Sequence, residues 1–160
     1  MRKIKIESHL EVYDLVEELP EQIQSLMQEA FVARDNAYAP YSKFHVGAAI
    51  LLDNNEIIIG SNQENAAYPS GLCAERTAIF YAGAKYPKAT IEAMAISAKA
   101  QSKPTITPIP PCGSCRQAIA EYEVKQDMPI ALYFMGESGK VFKSDSLKNL
   151  LPLLFTQDYL

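Results

Sequence analysis

Three cysteines carry the first chemical signal. Cys73 stands in the string SGLCAERTA, and Cys112 and Cys115 stand in PPCGSCRQA. A Cys-x-x-Cys pair where a loop meets a helix can bring two sulfurs onto one metal, and a third, distant cysteine supplies another corner of a tetrahedron. Zinc suits such a set, because soft thiolates favour it and it carries no redox liability. Helix N-termini aimed at the site would help keep the thiolates ionised. No fourth protein ligand stands out. His9 and His45 lack any motif context, and His45 lies inside an apolar strand pattern, where a histidine satisfied by its neighbours is expected. Three ligands with an open fourth position is the catalytic zinc pattern, and four closed ligands the structural one. Glu75 favours the first. It follows Cys73 by two residues, about 200° around a helix, so the two side chains can flank an object at the end of the helix axis, one on a metal and the other at a water. The plain alternative is a first-turn glutamate favoured by the helix dipole.

These residues need a frame. From about Pro20 to Ala37 the pattern is helical, with Ile23, Leu26, Met27, Ala30, Phe31 and Ala33 forming an apolar stripe. Residues 44–52 (FHVGAAILL), the turn Asp53-Asn54-Asn55 and then EIIIGSN read as strand, turn and strand. A polar loop (62–71) leads into a helix from about Leu72 to Ala84. Residues 90–99 alternate as a strand. A proline-rich loop (103–111) precedes a helix from about Gly113 to Glu123. Two strands follow (130–135 and 140–143), and then a short C-terminal helix is expected over 146–154. Residues 3–14 alternate loosely and allow an optional first strand. Helices alternating with strands imply an α/β fold, a three-layer α/β/α sandwich around one mixed five-stranded sheet. Both cysteine segments fall where loops enter helices, the region in which α/β sheets gather their sites.

The 160 residues, 48% of them hydrophobic, match one domain, 1–160, whose first 20 residues form an arm of no evident role. The charged fraction of 21% with 7 glycines and 10 prolines excludes collagen-like and low-complexity chains. The net charge of −4 supplies no global basic field for a nucleic-acid polymer. The N-terminus lacks the apolar core of a signal peptide, and no apolar run reaches the ~18 residues a membrane span needs. A cytoplasmic protein is expected. There an odd, clustered set of cysteines points to metal or catalysis rather than disulfides.

The strings CAERTA and PCGSCRQ, with AYAPYSKFHVGAA upstream and NQENAAYPSG between them, closely resemble the small zinc-dependent cytidine deaminases of the free-nucleoside type over about residues 28–155. The pairing of a Cys-x-Glu string with PCxxC is the zinc-deaminase signature. The resemblance implies a cytidine deaminase-like fold and one zinc per subunit on Cys73, Cys112 and Cys115, with Glu75 as proton shuttle. It implies a substrate site with Phe44 against the pyrimidine ring, Asn62 and Glu64 on the ribose hydroxyls, and the Ala74 backbone N–H on the base. Arg76 would hydrogen-bond thiolate ligands, and Phe155 would reach into a neighbouring subunit of a homotetramer. The reaction it implies is hydrolytic deamination of cytidine, and of 2′-deoxycytidine, to the uridine product and ammonia in pyrimidine salvage. Hydroxide from the zinc-bound water would attack C4 while Glu75 moves the protons.

Residue chemistry agrees with parts of this. A carboxylate and an amide suit a diol, since one accepts and the other both donates and accepts. Three thiolates on Zn²⁺ leave a net charge of −1, which donors such as Arg76 and helix-end N–H groups can drain. Phe44 also reads as a strand core residue. Three other functions compete: a structural zinc module, a deaminase of another aminopyrimidine such as a nucleoside antibiotic, and a polynucleotide-editing deaminase. The first would need a fourth fixed ligand and no Glu75, the YSKF string and the NxEN pair count against the second, and the acidic balance weighs against the third. The apolar run KNLLPLLF (148–155) should be covered, in part by the protein's own sheet and in part by a neighbour.

Overall fold

The apolar runs and helical stripes resolve into six strands and three helices in the computed structural model, which describes residues 1–160. In chain order these are β1 (Glu11–Tyr13), α1 (Glu21–Asp35), β2 (Phe44–Leu52), β3 (Ile57–Ser61), α2 (Ala74–Lys85), β4 (Ile91–Ala100), α3 (Gly113–Gln126), β5 (Ala131–Met135) and β6 (Val141–Ser144). One sheet holds all six strands in the order β1-β6-β5-β4-β2-β3. Only β4 and β5 pair in parallel; the other neighbours run antiparallel, so the sheet is mixed.

The three-layer α/β sandwich holds, and the expected five-stranded sheet gains a sixth strand. The cause is the N-terminal arm. Glu11, Val12 and Tyr13 pair with Lys143, Phe142 and Val141 along the β6 edge, and the Lys143 ammonium ties Glu11 at 3.0 Å. A second correction concerns the C-terminus. The expected helix over 146–154 is only a short 3-10 turn, Leu147–Asn149. Pro152 disfavours helix in the residue before it, and Leu153 takes the left-handed conformation, φ 61°, so the apolar periodicity never becomes a helix. The helix expected to end near Glu123 instead runs on to Gln126, where Asp127 closes it at φ 52°.

Alternation along β2 sorts its side chains. Ala49 and Leu51 face α1, in a cluster with Leu26, Met27 and Ala30. Ala48, Ile50 and Leu52 face α2 and α3, in a larger cluster with Ala78, Ile79 and Ile119. The period of two puts Phe44 and Val46 on the α2/α3 face and His45 on the other. Two glycines bring the layers close. A Cβ on Gly47 would stand 2.1 Å from the Ala30 carbonyl oxygen in α1, and one on Gly60 would stand 2.6 Å from the Ala78 nitrogen and 2.7 Å from the Ala74 oxygen in α2. Gly60 thereby sets how closely the first turn of α2, which follows Cys73, approaches the sheet.

Candidate active site

Cys73 is the N-cap of α2, and Cys112 is the N-cap of α3 with Cys115 in its first turn. The two helix starts meet at the three sulfurs. The three Sγ atoms lie within 4.8 Å of one another, with Cys73–Cys112 at 3.9 Å and Cys112–Cys115 at 3.5 Å. All three cysteines are free. A tetrahedral zinc with Zn–S bonds of about 2.3 Å needs sulfurs about 3.8 Å apart. The trio fits that spacing and leaves one corner of the tetrahedron without a protein ligand. His45 takes no part. Its Nε2 lies 3.0 Å from Gln101 Nε2, and it is a partnered wall residue as its strand setting implied.

Two helix starts concentrate positive potential on this point. The Cys73 thiol is drawn down to about 5, first because it accepts a hydrogen bond from Cys115 and then because Arg76 approaches it. Cys115, donating that proton, is pushed up. Arg76 Nη2 lies 3.7 Å from Cys73 Sγ, while its buried Nε has no hydrogen-bond partner. Glu75 is 4% exposed, and burial pushes its carboxyl up to about 7. A cation held by the three sulfurs would draw it back down.

A cleft of ≈ 670 Å³ opens onto these groups. Phe44, Asn62, Glu64, Cys73, Glu75, Arg76 and Cys112 all line it, together with the sheet residues Val46 and Ile96. Residues gathered from positions 44 to 112 of the chain thus meet in one cavity. Glu64 Oε2 accepts from the amides of Tyr41 (2.8 Å) and Ser42 (3.2 Å). The hydroxyl of Ser42, first, and these amides hold the Glu64 carboxyl below the ordinary carboxylate range. Asn62 is more committed to the frame than its loop position suggested. Its Oδ1 accepts from Val46 N at 2.7 Å and its Nδ2 donates to Phe44 O at 2.9 Å, so it braces the strand that carries Phe44 and keeps one amide hydrogen spare. Ala74 is wholly buried, and as the first helical residue its N–H has no intrahelical acceptor. Phe155 stands apart from the cleft. It is 59% exposed, stacks on Tyr159 at 5.8 Å, and its carbonyl accepts from Gln117 Nε2 at 3.0 Å.

The cytidine and deoxycytidylate deaminase zinc-binding region matches residues 20–129. The chain belongs to this family. A cytidine deaminase of Halalkalibacterium halodurans is 40% identical over 135 residues, covering 84% of this chain and 95% of that protein. Another, from Sporosarcina psychrophila, is 38% identical over 136 residues, covering 85% and 93%. Among solved structures, the cytidine deaminase from Burkholderia pseudomallei superposes with a TM-score of 0.71 at 36% identity, covering 82% of this chain and 97% of that one. The deaminase family match thus spans the three cysteines, Glu75 and the cleft.

One residue escaped the sequence reading. Arg116, directly after Cys115, donates from Nε to the Pro111 carbonyl at 2.8 Å and from Nη1 to the Leu150 carbonyl at 2.7 Å. Its only sequence signal was its place in PCGSCRQ, and nothing in the local pattern names an acceptor 34 residues away.

Proposed function

We propose that this protein hydrolyses the exocyclic amine of cytidine and 2′-deoxycytidine, releasing ammonia and the uridine product. The observation that carries the reading is a buried acid, Glu75, lining the same cleft as Cys73 and Cys112, two members of a three-sulfur cluster of zinc-like spacing. Cys73, Cys112 and Cys115 would hold a zinc ion, which would supply a Lewis acid able to make a water acidic near neutral pH. Glu75 takes a proton from the attacking water and passes it to ring N3 so that C4 becomes electrophilic; it then takes the second proton from the new C4 hydroxyl and delivers it to the amine, and the C4–N bond breaks to release ammonia as the C4 carbonyl forms. Its burial keeps that proton away from bulk solvent.

The remaining roles follow from chemistry. Phe44 offers its ring to the pyrimidine. The Ala74 N–H, free at the helix start, donates to the base. Glu64 has an oxygen beyond the one its loop amides occupy, and with the spare hydrogen of Asn62 it suits the ribose hydroxyls. Arg76 draws charge from Cys73. One domain, 1–160, carries the activity in the cytoplasm, consistent with a chain in which no helix is long and apolar enough to cross a membrane. The exposed Phe155 and Leu153, 59% and 88% accessible, support a homotetramer in which Phe155 reaches a neighbour's site.

The test is the ultraviolet loss of cytidine absorbance on purified protein. Turnover that a zinc chelator abolishes and added zinc restores is the expected outcome. Zinc-loaded protein that leaves cytidine unchanged would overturn the reading.

A further inference from the structure

The loop that delivers Cys112 cannot hold itself in place. It reads Thr-Pro-Ile-Pro-Pro-Cys over 107–112, and Pro108, Pro110 and Pro111 have no N–H to donate. Pro111 is buried while Cys112 is exposed, so the most accessible cysteine of the trio hangs on a stretch of chain short of backbone donors. Arg116 compensates on both sides of that residue. Its backbone N–H donates to the Cys112 carbonyl at 2.9 Å, and its side-chain Nε donates to the Pro111 carbonyl at 2.8 Å. Two successive carbonyls flanking the Cys112 Cα are thus fixed by one residue. The far end of the guanidinium is anchored as well. Nη1 reaches the carbonyl of Leu150 at 2.7 Å, and Leu150 packs against the larger core cluster. The next residue, Gln117, holds the carbonyl of Phe155.

We propose that Arg116 is a positioning residue that clamps the Cys112 loop to the C-terminal segment, so that metal retention and the order of residues 150–155 depend on each other. The role differs in kind from that of Arg76. Arg76 meets a sulfur, and its charge is what counts there. Arg116 meets carbonyls, and its fork is what counts, because a planar guanidinium spans two acceptors in a fixed geometry and a lysine head does not.

This inference rests on the zinc site of the proposed function, and the experiment separates the two. Zinc release to a colorimetric chelator is timed for the purified protein, Arg116→Lys and Arg116→Gln, with KM and kcat measured alongside. If the unaltered protein binds no zinc, the proposed function fails. If it binds zinc, both variants release it roughly tenfold faster or more, with kcat falling further than KM changes, and lysine rescues neither. Lysine restoring the release rate would make Arg116 a charge donor and overturn the clamp, as would unchanged release from both variants. Should the variants not fold, hydrogen–deuterium exchange on the unaltered protein decides. Stripping zinc is expected to raise exchange in 112–115 and in 150–155 together, and a rise confined to 112–115 would overturn the proposal.

Discussion

Helix α2 begins at Cys73 and α3 at Cys112. Each cysteine is an N-cap in extended backbone, φ −73°, ψ 155° and φ −67°, ψ 167°, with no side-chain cap bond. The side chains that follow divide the work. After Cys73 come the buried Glu75 and Arg76, which touches sulfur. After Cys112 come a second sulfur and Arg116, which touches only carbonyls. The packing beneath them differs too. The first turn of α2 lies against Gly60, while a Cβ at Gly113, the first residue of α3, would meet nothing within 4 Å. The same backbone device, a cysteine where a cap would be, serves as a proton and charge station on one helix and as a mechanical mount on the other.

The sharpest way to break this comparison is to remove a sulfur. Cys112→Ala should lose zinc, all activity and much of the soluble yield, because the metal ties two helices together; full zinc by elemental analysis would end the ligand assignment. Glu75→Gln should keep its zinc and its fold while turnover falls by ~10²–10⁴-fold. Near-normal rates in a zinc-loaded Gln variant would take Glu75 out of the proton path. Arg76→Gln should cost ~10–100-fold in activity or zinc affinity, and Arg76→Lys should recover part of it because charge is what the sulfur needs. A lysine variant as poor as the glutamine one would erase the contrast with Arg116. The smallest effects concern the glycines. Gly60→Ala should destabilise the fold by about 1–3 kcal/mol through overpacking, whereas Gly113→Ala should change stability by less than about 1 kcal/mol. Urea melts of the two, run side by side, would test whether the start of α2, and not that of α3, is pressed onto its neighbours.

The cysteines, Glu75 and the helices that carry them were legible because each lies in a short string whose meaning is local. The strand over 44–52 was legible for the same reason, but which face each of its residues takes, with Phe44 on one and His45 on the other, came only with the structure. Long-range bonds were not. Arg116 to Leu150 and Asn62 to the β2 backbone leave no periodicity behind. Neither does Glu123, a buried carboxylate that accepts from the amides of Ile130 and Leu147 and from the Ser146 hydroxyl. The sixth strand was visible only as a loose alternation, since three residues on a sheet edge need a partner strand before the pattern means anything. The C-terminal run misled in the opposite direction. Its apolar spacing suits a helix, yet Pro152 and the backbone at Leu153 deny it one, and the turn at 147–149 docks on α3 through Glu123 instead.

The three residues of β1 also matter to how this protein behaves in a crowded tube. Without them, Val141–Ser144 would be the outermost strand, with one row of amides and carbonyls open to any passing chain, a template for misassociation. With them in place, the outermost row belongs to a strand only three residues long, too short to nucleate much, with acidic Glu11 and Asp14 at its two ends. Trimming the chain past Tyr13 to improve expression would therefore invite precipitation, whereas tags and fusions can be grafted onto residues 1–10, which are exposed and outside every element of the sheet.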